Sequence, residues 1–398
     1  MRTVIRNEAQ RTILPKLTLH KCPMQNTGVM ARPTAQRELT FLRARAQGLF
    51  PADAAQPAVV TDRLLAIQAQ DLAAAKWALG VRCPGTSVAS IDSAIDSGEI
   101  VRSWPMRGTL HLVPGIDLAW MLQCTTERLL HQARLTHERQ GLTGAVYERA
   151  RELAVEALSG GRSLTRDEFQ ALLERHGIAT ADGRGYHLIW YLAQTGTLCW
   201  GPTVGSAQAL VLLDEWVPRP RTLDRDEALA EFLLRYVRGH GPATLQDFVW
   251  WSKVTVAEAK RGLAVARPLL AERRFGETSY WVAAEADGVV IDEAERRRFA
   301  ASVWLLPAFD EYFLGYRDRE PAADLEHHGR IVPGKNGVFQ PIIVAGGRVV
   351  GTWKRRASGG SRLQVTAEPF AELSAGQLAG VRREGRRYAR FLGLTLQD

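Results

Sequence analysis

Helical spacing of apolar residues gives way to apolar–polar alternation three times along the chain. In the first instance Glu38 to Leu49 carries the helical period, and Thr61 stands where it would cap a second helix through Leu64, Leu65 and Ile67. Ser87 to Asp96 predicts a third helix, stopped by Gly98. Glu99 to Val113 then alternates around Pro105 and Gly108, as a β-hairpin does. The second instance predicts helices over Val146 to Leu158, Phe169 to Leu173 and Tyr186 to Gln194, with a break at Gly160-Gly161 and a cap at Ser163 or Thr165. Strands over Thr197 to Gly201 and Gln208 to Leu213 follow. The third predicts helices over Ala228 to Arg238, Leu245 to Trp251 behind Thr244, and Val256 to Leu263 behind Thr255, then a wing strand from Phe275 to Val282.

From about residue 300 the runs change. Val303 to Leu306, Val338 to Val344, Arg348 to Trp353 and Arg362 to Val365 are short and β-like, and Ala375 to Phe391 returns to helical spacing. The pattern divides the chain into a leader without periodicity at 1–36, read as disordered, three units at 37–140, 141–220 and 221–290, and a C-terminal β-domain at 291–398. Helices followed by a hairpin make a winged helix. The expected fold is therefore α+β, with three tandem winged-helix units followed by a small β-domain. In such modules one helix enters the major groove of DNA; they also serve as scaffold or dimerisation parts.

Charge adds to this picture. The 398 residues carry a formal net charge of +8, which attracts polyanions, nucleic acids first. No apolar stretch has the length of a membrane span, and the N-terminus has no apolar core before a small-residue cleavage site, so a cytoplasmic protein is expected. Four cysteines lie scattered without a CxxC pair, arguing against a disulfide framework or a cysteine zinc site. His327-His328 reads as a loop pair, since adjacent residues rarely converge on one metal. Between Arg348 and Arg390 ten Arg or Lys stand against three Glu, and Trp353-Lys354-Arg355-Arg356 sets an aromatic beside three cations. That arrangement suits phosphate contact with stacking, or a solvated surface.

Two glutamines, Gln68 and Gln70, follow the apolar stripe Leu64-Leu65-Ala66-Ile67. On a regular helix residues i and i+2 point about 200° apart. Both amides reach one site only if the helix ends or distorts there; otherwise they are surface residues.

Four segments together resemble the bacterial winged-helix DNA glycosylases of the AlkZ/YcaQ type: Gln68-Ala69-Gln70-Asp71, Arg107-Gly108-Thr109-Leu110-His111-Leu112-Val113, Leu306-Pro307-Ala308-Phe309-Asp310-Glu311-Tyr312, and Gly351-Thr352-Trp353. The resemblance runs from about residue 38 to the C-terminus. It implies a C-shaped arrangement of the three winged helices and a catalytic role for Gln68 and Gln70, in the Gln-x-Gln branch that unhooks interstrand crosslinks. Its implied partner is double-stranded DNA carrying alkylated bases, bound by a monomer, without metal or cofactor. Arg107 and His111, on the first wing, and Arg317, Trp353, Lys354 and Arg355 become candidate DNA contacts, with a structural part for His111 equally open. Asp310 and Glu311 would position a glutamine or a DNA-binding arginine, or join the third unit to the β-domain.

A glutamine orients and polarises but takes no proton at neutral pH. That chemistry suits cationic N7-alkylpurines, which leave without being protonated. No lysine flanks the motif, so a monofunctional glycosylase is expected. A winged-helix regulator without activity would share the tandem units but leave the glutamine pair unexplained, and no dense carboxylate cluster suggests a metal nuclease.

Overall fold

The computed structural model describes residues 32–205, 207–334, 337–358 and 360–397. The span read as a leader lies outside these up to residue 31. Helix α1 (Arg32–Ala46) begins inside it, so the leader extends less far than residue 36. Then come α2 (Pro57–Leu64), β1 (Ile67–Gln68), α3 (Leu72–Gly80), α4 (Val88–Asp96) and the hairpin β2 (Ile100–Met106) and β3 (Thr109–Pro114). Thr61 is not a cap. It lies within α2, and its hydroxyl donates to the Pro57 carbonyl at 3.1 Å, while Pro57 itself opens the helix with no amide to satisfy.

Helices α3 and α5 (Leu118–Arg139) are the longest of those that escaped the apolar pattern. In α3 most of the residues are buried, so no polar face marks the period. Helix α5 buries mainly its first half, from Leu118 to Thr125, and its second half is largely polar, so no continuous stripe runs along it.

The second group is α6 (Gly144–Leu158), β4 (Leu164–Thr165), α7 (Arg166–Arg175), α8 (Arg184–Gln194), the hairpin β5 (Leu198–Val204) and β6 (Ala207–Leu212), and the short α9 (Leu213–Trp216). The third is α10 (Arg225–His240), α11 (Leu245–Ser252), α12 (Val256–Ala266) and the hairpin β7 (Leu270–Phe275) and β8 (Thr278–Ala283). Thr165, Thr244 and Thr255 each cap a helix reciprocally with an acidic residue three positions on. The single wing strand expected from Phe275 to Val282 is two strands, because Gly276 (φ 63°) turns the chain. The C-terminal part holds α13 (Glu293–Ala300), β9 (Val303–Leu306), α14 (Glu311–Leu314), α15 (His328–Ile331), β10 (Ile342–Ala345), β11 (Arg348–Ser358), β12 (Arg362–Pro369), α16 (Ala375–Phe391) and β13 (Thr395–Leu396). Strand β10 starts later than Val338, just past Pro341, which has no amide to give a ladder.

The order of helices followed by a hairpin thus occurs three times in a mixed α+β chain, but the groups are not independent. The first two hairpins join in one six-stranded sheet, ordered β1-β3-β2-β5-β6-β4, with Arg102 opposite Trp200 at the seam. Helices α1 to α4 share one hydrophobic core with the C-terminal five-stranded sheet. A second core joins β2 and α5 to the third group, and a third fills the second group.

Gly239 on α10 lets the third group approach the first closely. A Cβ there would stand 2.2 Å from the Arg63 carbonyl oxygen on α2. Because that neighbour is backbone, Gly239→Ala should destabilise the protein by about 1–3 kcal/mol, read as a lower urea midpoint.

Candidate active site

The chain leaves α2 abruptly. Leu65 takes a left-handed backbone (φ 62°), uncommon for a residue with a side chain, and the following residues run extended. Leu65, Ala66 and Ile67 stay fully buried, which anchors the exit. Gln68 pairs with His111 and Ile67 with Leu112 on β3, and the Ala69 amide donates to the Leu110 carbonyl at 2.7 Å. Asp71 then caps α3 by accepting from the Ala74 amide at 3.0 Å.

The helix therefore ends before the glutamines: Gln68 lies on β1, and Gln70 follows at a bend just before α3. Arg102 on β2 locks the segment from the other side. It donates to the Ala69 carbonyl at 3.0 Å and to Gln208 of the second hairpin at 2.9 Å. Burial lowers its pKa to about 10.

Gln68 is nearly buried and Gln70 is exposed at the rim. The Gln68 carbonyl accepts from Arg107 Nη2 at 3.0 Å, and the Gln70 carbonyl accepts from the Leu110 amide at 3.1 Å. Arg107 and Gly108 form the two-residue hairpin turn with φ of 58° and 67°, the positive pair of a type I′ turn. The turn folds the guanidinium back over its own strand. The same Nη2 reaches His111 Nε2 at 2.8 Å, while His111 Nδ1 lies 2.8 Å from the Thr109 carbonyl. Both contacts are satisfied at once only by a neutral ring carrying its proton on Nδ1. Burial, then the Arg107 cation, pushes the pKa of His111 well below its ordinary value.

That shift has a consequence for stability. The unfolded chain takes up a proton at His111 near pH 6.5 and the folded chain refuses it. Stability is thus fully present above that pH and falls as pH drops below it, by up to about 1.4 kcal/mol per pH unit for the one group. Burial lowers His137 and His187 in the same direction. Urea midpoints at pH 7.5 and 5.5 should converge in His111→Asn relative to the unmodified protein.

A sequence profile of the AlkZ-like DNA glycosylases matches residues 61–391. The chain belongs to that family and is a DNA glycosylase. It is similar to the interstrand DNA cross-link repair glycosylase of Streptomyces sahachiroi, at 25% identity over 378 residues, covering 90% of this chain and 97% of that protein. The solved structure of Streptomyces sahachiroi DNA glycosylase AlkZ has the same fold. It superposes with a TM-score of 0.73 at 24% identity, covering 91% of this chain and 98% of that one.

In this glycosylase the other expected site residues do not gather at the glutamines. Asp310 is buried in a two-pronged pair with Arg82, both contacts at 2.8 Å. Glu311 is buried too, accepting from Trp251 Nε1 at 2.7 Å with His240 Nε2 at 3.3 Å. Burial opposes its ionisation, but His240, Arg107 and Trp251 together hold the carboxyl below its usual value. Both carboxylates join the third group and α1–α4 to the C-terminal sheet. Arg317 is exposed and holds Gln246 at 3.4 Å.

Trp353, expected to stack on a base, is instead 3% exposed. Its indole donates to the Leu306 carbonyl at 2.8 Å and packs against Tyr388, so no face is left for DNA. The alternation of β11 turns Trp353 inward, with Lys354 exposed and paired to Glu368 at 2.6 Å. Arg355 is also exposed and reaches the Tyr388 hydroxyl.

Three residues missed in the sequence do approach the centre. Trp250 on α11, Lys253 at its left-handed end (φ 61°) and Arg319 in the C-terminal part surround Arg107. Only a helix and a loop from distant parts of the chain bring them there, so no local motif marks them.

Proposed function

We propose that this glycosylase hydrolyses the N-glycosidic bond of bulky or crosslinked N7-alkylpurines in duplex DNA, using Gln68 and Gln70. The observation that carries the reading is the pair of amides on the segment between α2 and α3, each carbonyl held by a donor of the β2–β3 hairpin, with the adjacent carboxylate, Asp71, engaged in capping α3. His111 is neutral with both nitrogens engaged, and Asp310 and Glu311 are committed to buried contacts.

Such a site supplies orientation and dipoles rather than general-base catalysis. It suits a leaving group that needs no protonation. An N7-alkylpurine is already cationic. The C1′–N9 bond breaks, the electron pair leaves with the base and neutralises it, and the sugar becomes an oxocarbenium ion. Each glutamine carbonyl retains one lone pair. One holds a water at C1′ while the partial negative charges stabilise the cation; water adds its oxygen to C1′ and loses a proton to solvent. Lys76, the lysine nearest in sequence, is paired with Asp92 and is not offered as a nucleophile.

The name of the Streptomyces sahachiroi relative, a cross-link repair glycosylase, supports a crosslinked substrate. A base tied to both strands cannot swing free of the duplex, and the exposed position of Gln70 suits an approach to a base still stacked. We read the three groups of helices and hairpins as tandem winged helices in a C shape around the duplex, with Arg107, Arg317, Lys354 and Arg355 on phosphates.

The test uses duplexes containing 7-methylguanine, a nitrogen-mustard crosslink or no lesion. Release of the first two bases, with strands broken only after alkali, is the expected result. Equal release of undamaged guanine, or no release from either damaged duplex, would overturn the reading.

A further inference from the structure

Around the half-exposed ring of Trp250 three cations converge from three parts of the chain. The Arg319 guanidinium carbon lies 4.5 Å from the ring centre, Lys253 Nζ 5.1 Å and the Arg107 guanidinium carbon 5.9 Å. Among the described residues none of the three is ion-paired with a carboxylate. Arg107 spends Nη2 on Gln68 and His111, but its Nε and Nη1 are out of contact with solvent and have no partner. Arg319 donates Nε to the Phe313 carbonyl at 2.8 Å, and its Nη2 is likewise buried and unpartnered. An unpaired buried donor is costly, more so when charged, and like charges at this spacing repel.

The charges feel one another. Burial and then Arg107 lower Arg319 to about 10, and burial followed by Arg107, Arg128 and Arg319 lowers Lys253. Two carboxylates act on its arginines, and Glu127 and Glu258, the latter paired with Arg225, line the cleft beside it. Asp247 acts on Arg319 but is occupied by Arg43 and the α11 cap; Glu311 acts on Arg107 but has its Oε2 taken by Trp251 and His240. Arg107 and Lys253 both sit on left-handed backbones, as does Phe309, one residue before Asp310. Backbone strain of this kind gathers at binding and catalytic sites. A cleft of about 340 Å³, lined by Arg107, Arg128, Lys253 and Thr255 among others, opens beside them.

We propose that Arg107, Lys253 and Arg319 form a clamp for one phosphodiester of the DNA backbone beside the lesion, with Trp250 as its apolar floor against the adjoining sugar. The unpartnered Nη1 of Arg107 can donate to one phosphate oxygen, with Lys253 and Arg319 supplying the other donors. Docking there ties the DNA backbone to the guanidinium whose Nη2 already holds Gln68, so that phosphate and glutamine carbonyl share one anchor. Lys253 and Arg319 are binding residues, while Arg107 is also a positioning residue. The proposal rests on the protein's acting at damaged duplex DNA, but not on which alkylpurine it releases.

The experiment measures affinity for a duplex carrying a stable tetrahydrofuran abasic analogue, which needs no lesion chemistry. Lys253→Gln and Arg319→Gln should each weaken binding about tenfold. Each should also flatten the slope of log affinity against log salt by about 0.9. A neutral methylphosphonate is then walked through the phosphates flanking the analogue. At one position both variants should lose no further affinity. At saturating DNA, single-turnover base release should fall strongly in Arg107→Gln.

Unchanged affinity and salt slope would overturn the clamp and leave an ordered water between Arg107 and Glu311 as the occupant. Unchanged DNA affinity with loss of inorganic-phosphate binding, read by Trp250 fluorescence, would overturn it in favour of a free anion. Failure of the unmodified protein to bind any duplex would instead defeat the underlying reading.

Discussion

Gln68→Ala is expected to slow single-turnover release of 7-methylguanine from duplex DNA by about 10²–10³-fold, the usual effect of removing one preorganised dipole from an active site. Gln68 is the better preorganised of the two glutamines. Its strand is bonded to β3, its carbonyl is fixed by Arg107, and Arg107 is fixed by the tight turn and His111. Little reorganisation is left to carry out when the sugar cation forms, which is where such dipoles act most strongly. Gln70 is held by one backbone amide at the exposed rim, so Gln70→Ala should cost less. A rate within threefold of the unmodified protein, with the thermal midpoint unchanged, would remove Gln68 from the chemistry.

The glutamine motif was legible in the sequence as chemistry but not as geometry. Spacing alone placed Gln68 and Gln70 on opposite sides of a helix. What ends the helix and lets both amides bond to the β2–β3 hairpin is the left-handed Leu65, a conformation that a leucine does not advertise. The hairpin turn was legible because Gly108 marks it; Arg107 on its left-handed partner position was not.

Local signals placed the capped helices well. Thr165, Thr244 and Thr255 each precede an acidic residue by three positions, and each caps a helix. Helix α16 starts at Ala375 and ends at Phe391, as its spacing predicts. The pattern failed where burial is complete or one-ended, as in α3 and α5, because a helix without a polar face has no period to read. It failed for Trp353 for a related reason. An aromatic next to three cations reads as a nucleic-acid contact, yet strand alternation sends alternate side chains to opposite faces, and the tryptophan went inward.

The acidic pair Asp310-Glu311 left two roles open, and the structure sharpens the test between them. Arg82 is wholly buried and has all five guanidinium donors engaged: by the Gln47 and Ala78 carbonyls, by Gln47 Oε1 and by both oxygens of Asp310. Asp310→Ala takes away two acceptors and the counter-charge together. An uncompensated buried charge of this kind costs about 3–5 kcal/mol, so the urea midpoint should fall steeply. The loss should be felt by α1–α4 and the C-terminal sheet at once, because they share one core and this pair crosses it. Arg82→Leu combined with Asp310→Leu removes the charge as well as its partner and should be cheaper than Asp310→Ala alone. Base release per folded molecule should stay near the unmodified rate, since Asp310 makes no hydrogen bond to either glutamine. A variant that kept its stability and lost its rate would place Asp310 in the chemistry; one that lost stability and kept its rate makes it the fastening that holds α1–α4 to the C-terminal sheet.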